Sequence, residues 1–261
     1  MIETYLDELV VEITRRCDLE CQHCLRGPSE NQDMRFKMIT RLCERLKEEN
    51  ICLTTLTITG GEPTLNLKGI KQLRRQLHDH GIEIHNLYMA INGQRITDNF
   101  IKEIREWDTL CNSTSATLVK ISGDSYHPKP CKNYHKVIDD PTFVYEPIRK
   151  DAVVTIYYEG NARINFEEDE IECWHLPKPW VISGEDDYTY ERVYINVYGD
   201  VYSSCNLSYE RQRTDKENRT GYYVGNINEG TLKEMIRRYD RKIMSEQKEE
   251  LSEKRIYAEY S

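Results

Sequence analysis

Three cysteines fall within eight residues at Cys17-x3-Cys21-x2-Cys24, with His23 just before the third. Thiolates at this spacing on a short loop can wrap one soft metal centre, either zinc or an iron–sulfur cluster. His23 would complete four ligands for zinc. Structural zinc sites, however, normally draw their ligands as two separated pairs, and no second pair follows at finger-like spacing. In a four-iron cluster, three cysteines leave one iron without a protein ligand, and a small molecule with N or O donors can bind there. Spacing alone keeps both chemistries open. The other cysteines, Cys43, Cys52, Cys111, Cys131, Cys173 and Cys205, are scattered.

The elements around the cysteines place them. Leu9 to Thr14 is a short apolar, β-branched run that stops at Arg15-Arg16, so it reads as a buried strand feeding the cysteine loop. Ile39, Leu42, Cys43 and Leu46 follow at helical spacing, which predicts an amphipathic helix over roughly 33–49. The unit then recurs. Leu53 to Thr59 reads as a strand broken by Gly60-Gly61-Glu62-Pro63, and Ile70, Leu73 and Leu77 mark the next helix. Ile84 to Ile91 is a third strand turned by Asn92-Gly93, and Thr97 to Trp107 a third helix. Ala116 to Ile121 and Ala152 to Tyr158 read as the fourth and fifth strands.

Alternating strands and helices imply an α/β fold with a parallel sheet, either open and doubly wound or curved like a whole or partial barrel. In both designs ligands gather at the C-terminal ends of the strands. The cysteine loop, Gly60-Gly61, Asn92-Gly93 and Ser122-Gly123 all fall there. After about residue 165 the alternation ends. Val193 to Val197, Gly199-Asp200 and Val201-Tyr202 predict a β-hairpin, and Leu232, Met235, Ile236, Tyr239 and Ile243 an amphipathic helix.

Composition narrows the class. The chain has 261 residues, 38% hydrophobic and 31% charged, with eighteen Tyr, which fits a folded protein rather than a disordered one. Its 36 Lys and Arg against 45 Asp and Glu give a formal net charge of −9, which argues against nucleic acid or an anionic membrane surface as a partner. No apolar run approaches the roughly 18–20 residues that span a bilayer, and Met1 to Asp7 lacks the pattern of a secretory signal. The expectation is a cytoplasmic protein, where nine cysteines stay reduced.

Cys17-x3-Cys21-x2-Cys24 after the first strand, with Gly60-Gly61-Glu62-Pro63 after the second, resembles the radical S-adenosylmethionine (radical SAM) superfamily over roughly residues 8–160. The resemblance implies a partial (β/α)6 TIM-like barrel with a small C-terminal β-hairpin plus helix extension, divided at 1–165 and 166–261. It implies a [4Fe-4S] cluster on Cys17, Cys21 and Cys24, with S-adenosylmethionine (AdoMet) on the fourth iron, and an electron donor such as flavodoxin or ferredoxin. Reductive cleavage of AdoMet would give a 5′-deoxyadenosyl radical that takes a hydrogen atom from the substrate. Gly60, Gly61, Glu62 and Pro63 match the segment that contacts the methionyl amine, and His23 stands where the family has an aromatic residue near the adenine. Asn92 and Ser122 match further AdoMet-binding positions, and Asp124 and His127 could face the substrate. Tyr158 to Arg163 is weakly similar to a late Gly-Arg-Ala segment in altered order, offering Glu159 or Arg163 as a contact to AdoMet or substrate.

The C-terminal third is similar to a shortened SPASM or twitch appendage of peptide-modifying relatives; Cys173 and Cys205 are the candidates for a second cluster, but no Cys follows Cys205, and the expectation is a cluster-less, shortened relative unless Cys111 or Cys131 folds in. That tilts the expected substrate toward a peptide or protein side chain. A glycyl-radical activating enzyme and a nucleotide- or sugar-modifying enzyme are the enzymatic alternatives, and a zinc-stabilised binding protein is the non-enzymatic one.

Overall fold

A computed structural model describes residues 4–111, 117–123, 127, 133–145, 155–184 and 188–259 of the chain. The strands are β1 (Thr4–Thr14), β2 (Ile51–Gly60), β3 (Ile84–Ile91), β4 (Thr117–Ile121), β5 (Phe143–Tyr145), β6 (Ile156–Tyr157), β7 (Cys173–Trp174), β8 (Thr189–Ile195), β9 (Asp200–Tyr202) and β10 (Tyr223–Asn226). The helices are α1 (Phe36–Glu48), α2 (Leu67–Asp79), α3 (Asp98–Asp108), α4 (Ala162–Asn165), α5 (Tyr209–Asn218) and α6 (Leu232–Glu259). One eight-stranded sheet runs β10-β9-β8-β1-β2-β3-β4-β5, and β6 and β7 form a separate pair. From β8 through β5 all neighbours are parallel, and β9 and β10 close the other edge antiparallel. The α/β class and the parallel sheet are as expected, and among the described residues the sheet is not closed by pairing of its edges.

Helices cover the sheet with the faces that periodicity assigned. Ile39, Leu42, Cys43 and Leu46 of α1, Ile70, Leu73 and Leu77 of α2, and Phe100, Ile101, Ile104 and Trp107 of α3 are buried in one core with Leu9, Val11, Ile13, Leu56 and Ile58. The register Leu9↔Leu56 and Val11↔Ile58 brings Thr14 level with Gly60, so the cysteine loop and the double glycine leave the sheet side by side.

Two features depart from the expected order. The fifth strand of the sheet is Phe143–Tyr145, three residues too short to show a period. Residues 156–157 of the run read as the fifth strand instead pair with Cys173–Trp174 outside the main sheet, and residues 152–154 lie outside the described residues. The C-terminal hairpin forms as β8 and β9, but β8 lies parallel to β1 and extends the main sheet.

A buried polar network locks that junction. Arg15, 1% exposed, donates Nε to Glu12 at 2.6 Å, Nη1 to Glu30 at 2.9 Å and Nη2 to Gln212 of α5 at 2.5 Å. Its guanidinium lies 4.2 Å from the Tyr209 ring centre and 5.0 Å from that of Tyr198. Tyr194 of β8 donates its hydroxyl to the other oxygen of Glu12, itself fully buried. Removing one partner of such a set strands a charge in low dielectric. Arg15→Ala is therefore expected to destabilise the protein by about 3–5 kcal/mol, read as a fall in the urea unfolding midpoint; a change under about 1 kcal/mol, the size of a surface pair, would show that the network contributes little.

Candidate functional site

At the end of β1 the chain leaves the sheet through Arg15 and Arg16, and the departure is pinned on both sides. Arg16 grips Asp33 with two hydrogen bonds of 2.9 and 2.8 Å and donates a third to the Leu65 carbonyl at 2.7 Å. Gly61 N donates to Thr14 O at 2.9 Å and Glu62 N to Arg16 O at 2.7 Å. This approach needs glycine: a Cβ on Gly60 would sit 2.2 Å from Thr14 O, and one on Gly61 2.4 Å from Arg16 O.

Glu62 is 1% exposed. One oxygen accepts from the backbone and hydroxyl of Thr64, and the other from Asn92 N at 2.7 Å. Burial outweighs these donors and pushes its carboxyl up to about 7. The Glu62 side chain thus ties the end of β2 to the end of β3. Asn92 continues the tie by donating Nδ2 to Asp18 of the cysteine loop at 2.8 Å and accepting from Gln94 N at 2.9 Å. Arg95 donates to the second Asp18 oxygen at 2.8 Å. Against the opposing effect of partial burial, these donors hold the Asp18 carboxyl below its usual range.

Cys17, Cys21 and Cys24 are half-buried on the loop so held. The segment after β6 holds it from the far side. Asn161 donates its backbone N to Cys24 O at 2.9 Å and Nδ2 to Cys21 O at 3.0 Å, and Asn165 donates to Gln22 O at 3.2 Å. Gly160 makes this contact possible, with φ of +56° and no room for a Cβ, which would lie 2.3 Å from Leu25 O. Asn161 and Asn165 carry no signal of their own in the sequence, which offers Glu159 and Arg163 from the same segment. The Glu159 carboxylate instead accepts from Ser208 Oγ at 2.8 Å and from Arg211 at 3.3 Å, anchoring the start of α5.

His23 reaches His127, with ring centres 5.1 Å apart and planes at 69°. Ser122 N donates to Ile91 O at 2.8 Å, so the ends of β3 and β4 also meet at this rim. Asp124 lies outside the described residues, as does Cys131. The rim therefore brings together the three cysteines, Gly60 to Pro63, Asn92, Ser122, His23 and His127. Cys205 packs elsewhere, against the cluster of Val10, Tyr194, Tyr202 and Leu207, and Cys173 lies beside His175.

Three half-buried thiols on one loop are a donor set that fits a four-iron cluster with one iron left open. Burial first, and then the neighbouring Glu62 and Asp18 carboxylates, push the Cys17 thiol up against a backbone hydrogen bond from Leu19, so a cationic centre is what would favour its thiolate.

A family model, the Radical SAM superfamily, matches residues 11–150. The match spans more than half of the chain, and the protein belongs to that superfamily, whose members use a [4Fe-4S] cluster and AdoMet. The uncharacterized protein MJ0907 of Methanocaldococcus jannaschii is 27% identical over 104 residues, 40% of this chain and 36% of that protein. The protein YfkA of Bacillus subtilis is 36% identical over 74 residues, 26% of this chain and 20% of that protein. The matches thus span little more than a third of these relatives at most. Among solved structures, anSMEcpe with bound AdoMet gives a TM-score of 0.54 at 16% identity, covering 88% of this chain and 80% of that one. The same protein with AdoMet and a Cp18Cys peptide gives 0.52 at 16%, covering 88% and 79%. BtrN in an open conformation gives 0.52 at 12%, covering 90% and 84%. These likenesses are of fold.

Asn161→Leu removes the side-chain donor to Cys21 O, which keeps the 3.1 Å bond from Cys24 N. It is expected to lower the iron retained after anaerobic reconstitution by half or more, as a disturbance of about 0.5–1.5 kcal/mol at the loop, with the far-UV circular dichroism unchanged. Full iron retention would show that the loop does not depend on this bond.

Proposed function

We propose that this protein is a radical SAM enzyme whose cluster is held by Cys17, Cys21 and Cys24. The observation that carries the proposal is the holding of the cysteine loop's backbone at one rim, between the Gly60 to Glu62 turn on one side and Asn161 on the other. Cys17, Cys21 and Cys24 would hold the cluster, and the chemistry supplied there would be one-electron reductive cleavage of AdoMet to methionine and a 5′-deoxyadenosyl radical. The chain's own part is to bind and orient. Gly60 and Gly61 let this turn lie directly against Thr14 O and Arg16 O, and carbonyls at strand ends would accept from an ammonium group. Glu62 and Asn92, whose side chains are engaged within the protein, act by holding that turn and the cysteine loop in register. His23 offers a ring face for the adenine, with its orientation set by His127.

The substrate we favour is a peptide or protein side chain, delivered to a core of residues 1–165 flanked by an extension of 166–261, with electrons from a flavodoxin- or ferredoxin-type donor in the cytoplasm. Support comes from the fold, which is shared with a protein solved with a bound peptide. No helix among the described residues is long and apolar enough to cross a membrane.

Protein purified without oxygen is expected to be brown, to hold about four irons per chain and, once reduced, to convert AdoMet to methionine and 5′-deoxyadenosine. Cys24→Ala is expected to abolish both colour and cleavage. A colourless, zinc-loaded protein inert toward AdoMet would instead identify a binding module. His127→Ala is expected to weaken AdoMet binding roughly 3–10-fold, the value of one aromatic contact of about 0.5–1.5 kcal/mol, by isothermal titration; unchanged affinity would separate His127 from the adenine side of the site.

A further inference from the structure

Glu168, Cys173 and His175 lie outside the site described above, on the lobe that carries β6 and β7. Cys173 Sγ is 3.7 Å from His175 Nε2, His175 Nε2 is 3.1 Å from Glu168 Oε1, and all three atoms lie within 4.8 Å of one another. At zinc–ligand distances of about 2.3 Å for sulfur and about 2.0–2.2 Å for nitrogen and oxygen, the edges of a tetrahedron are about 3.6 Å for S···N and about 3.3 Å for N···O. The triad already has those edges. Cys173 and His175 share one face because they are two residues apart on extended chain, and Glu168 is folded back over that face by the turn before β7.

We propose that Glu168, Cys173 and His175 form a mononuclear zinc site, with water in the fourth position, that staples the β6–β7 lobe. A thiolate and a carboxylate with neutral imidazole balance the charge of a divalent ion, and a mixed S, N, O set suits zinc. The Glu168 and His175 side chains are 59% and 60% exposed, so an ion has an entry path. At that exposure the carboxylate–imidazole pair contributes little by itself. Strand pairing within the lobe is slight: β6 and β7 have two residues each and, among the described residues, pair with one another alone, and a sheet of two strands is marginal in water. What the staple fixes is the segment between the two strands, which contains Gly160, Asn161 and Asn165 and satisfies the carbonyls of the cysteine loop.

The triad of Cys52, Glu83 and His85 has similar spacing, with Cys52 Sγ 3.8 Å from His85 Nε2. There the strands are already joined in the main sheet, so an ion would hold nothing that pairing does not. Cys205 is no part of the proposed site, which also separates it from a second iron–sulfur cluster drawing on Cys173 and Cys205 together.

The test counts metals. Protein purified and reconstituted with iron and sulfide under anaerobic conditions is given a single equivalent of Zn2+, desalted and analysed by plasma mass spectrometry. Wild type is expected to keep about one zinc beside about four irons. Glu168→Ala and His175→Ala are each expected to lower zinc retention at least about tenfold with iron unchanged. Because Trp174 sits between two of the ligands, its fluorescence is expected to change on zinc addition in wild type and not in His175→Ala. Zinc retained equally by both variants overturns the proposal, as does zinc lost in His85→Ala but kept in His175→Ala. Iron near eight per chain that falls to about four in Cys173→Ala would also overturn it, in favour of a second cluster. Iron at the cysteine loop is read in the same samples, so failure there is told apart from failure here.

Discussion

An irregular loop can present three thiols in a fixed arrangement only if its own backbone polar groups find partners, since each one buried without a partner costs about 1–3 kcal/mol. Here the partners come from neighbouring strand ends. Thr14 O and Arg16 O accept from Gly61 N and Glu62 N, and Cys21 O and Cys24 O accept from Asn161. The two glycines of the first contact and the left-handed Gly160 of the second are demanded by backbone approaching backbone at distances where a Cβ does not fit. Cysteine placement is thus a property of the sheet's end rather than of the loop alone.

Charged side chains carry the same tie outward. Asp18 joins the loop to Asn92 and Arg95 beyond β3, while Arg15 joins the start of the loop to α5 and stacks beside Tyr198 and Tyr209. Glu159 reaches Ser208 at the N-cap of α5 from the opposite flank. The C-terminal part is therefore built into the cysteine loop's surroundings, through parallel pairing of β8 with β1 and through the hydrogen bonds of Gln212 and Tyr194 with the buried Arg15–Glu12 pair, whose loss would leave that pair's charges short of partners.

Much of this was legible in the residues. The buried run of β1, the helical stripes of α1 to α3 and the hairpin of β8 and β9 declare themselves by period, and Cys17-x3-Cys21-x2-Cys24 with Gly60-Gly61-Glu62-Pro63 declares the family. Where the reading stopped, long-range pairing was in control. Phe143–Tyr145 is too short for a period, and the pairing of β8 with β1 joins segments some 180 residues apart without any local mark. Glu62 and Asn92 belong to matched motifs, yet their side-chain partners are other parts of the protein, which no motif records. Asn161 and Asn165 are unremarkable as residue types and matter only because Gly160 sets the chain against the loop.

The most direct test is the Mössbauer spectrum of 57Fe-loaded protein with and without AdoMet. Three cysteine ligands leave one iron chemically distinct, so AdoMet is expected to shift the signal of about one iron in four and leave the rest in place. Four irons that respond alike or not at all, or a protein that takes up zinc at the cysteine loop in place of iron, would contradict the assignment.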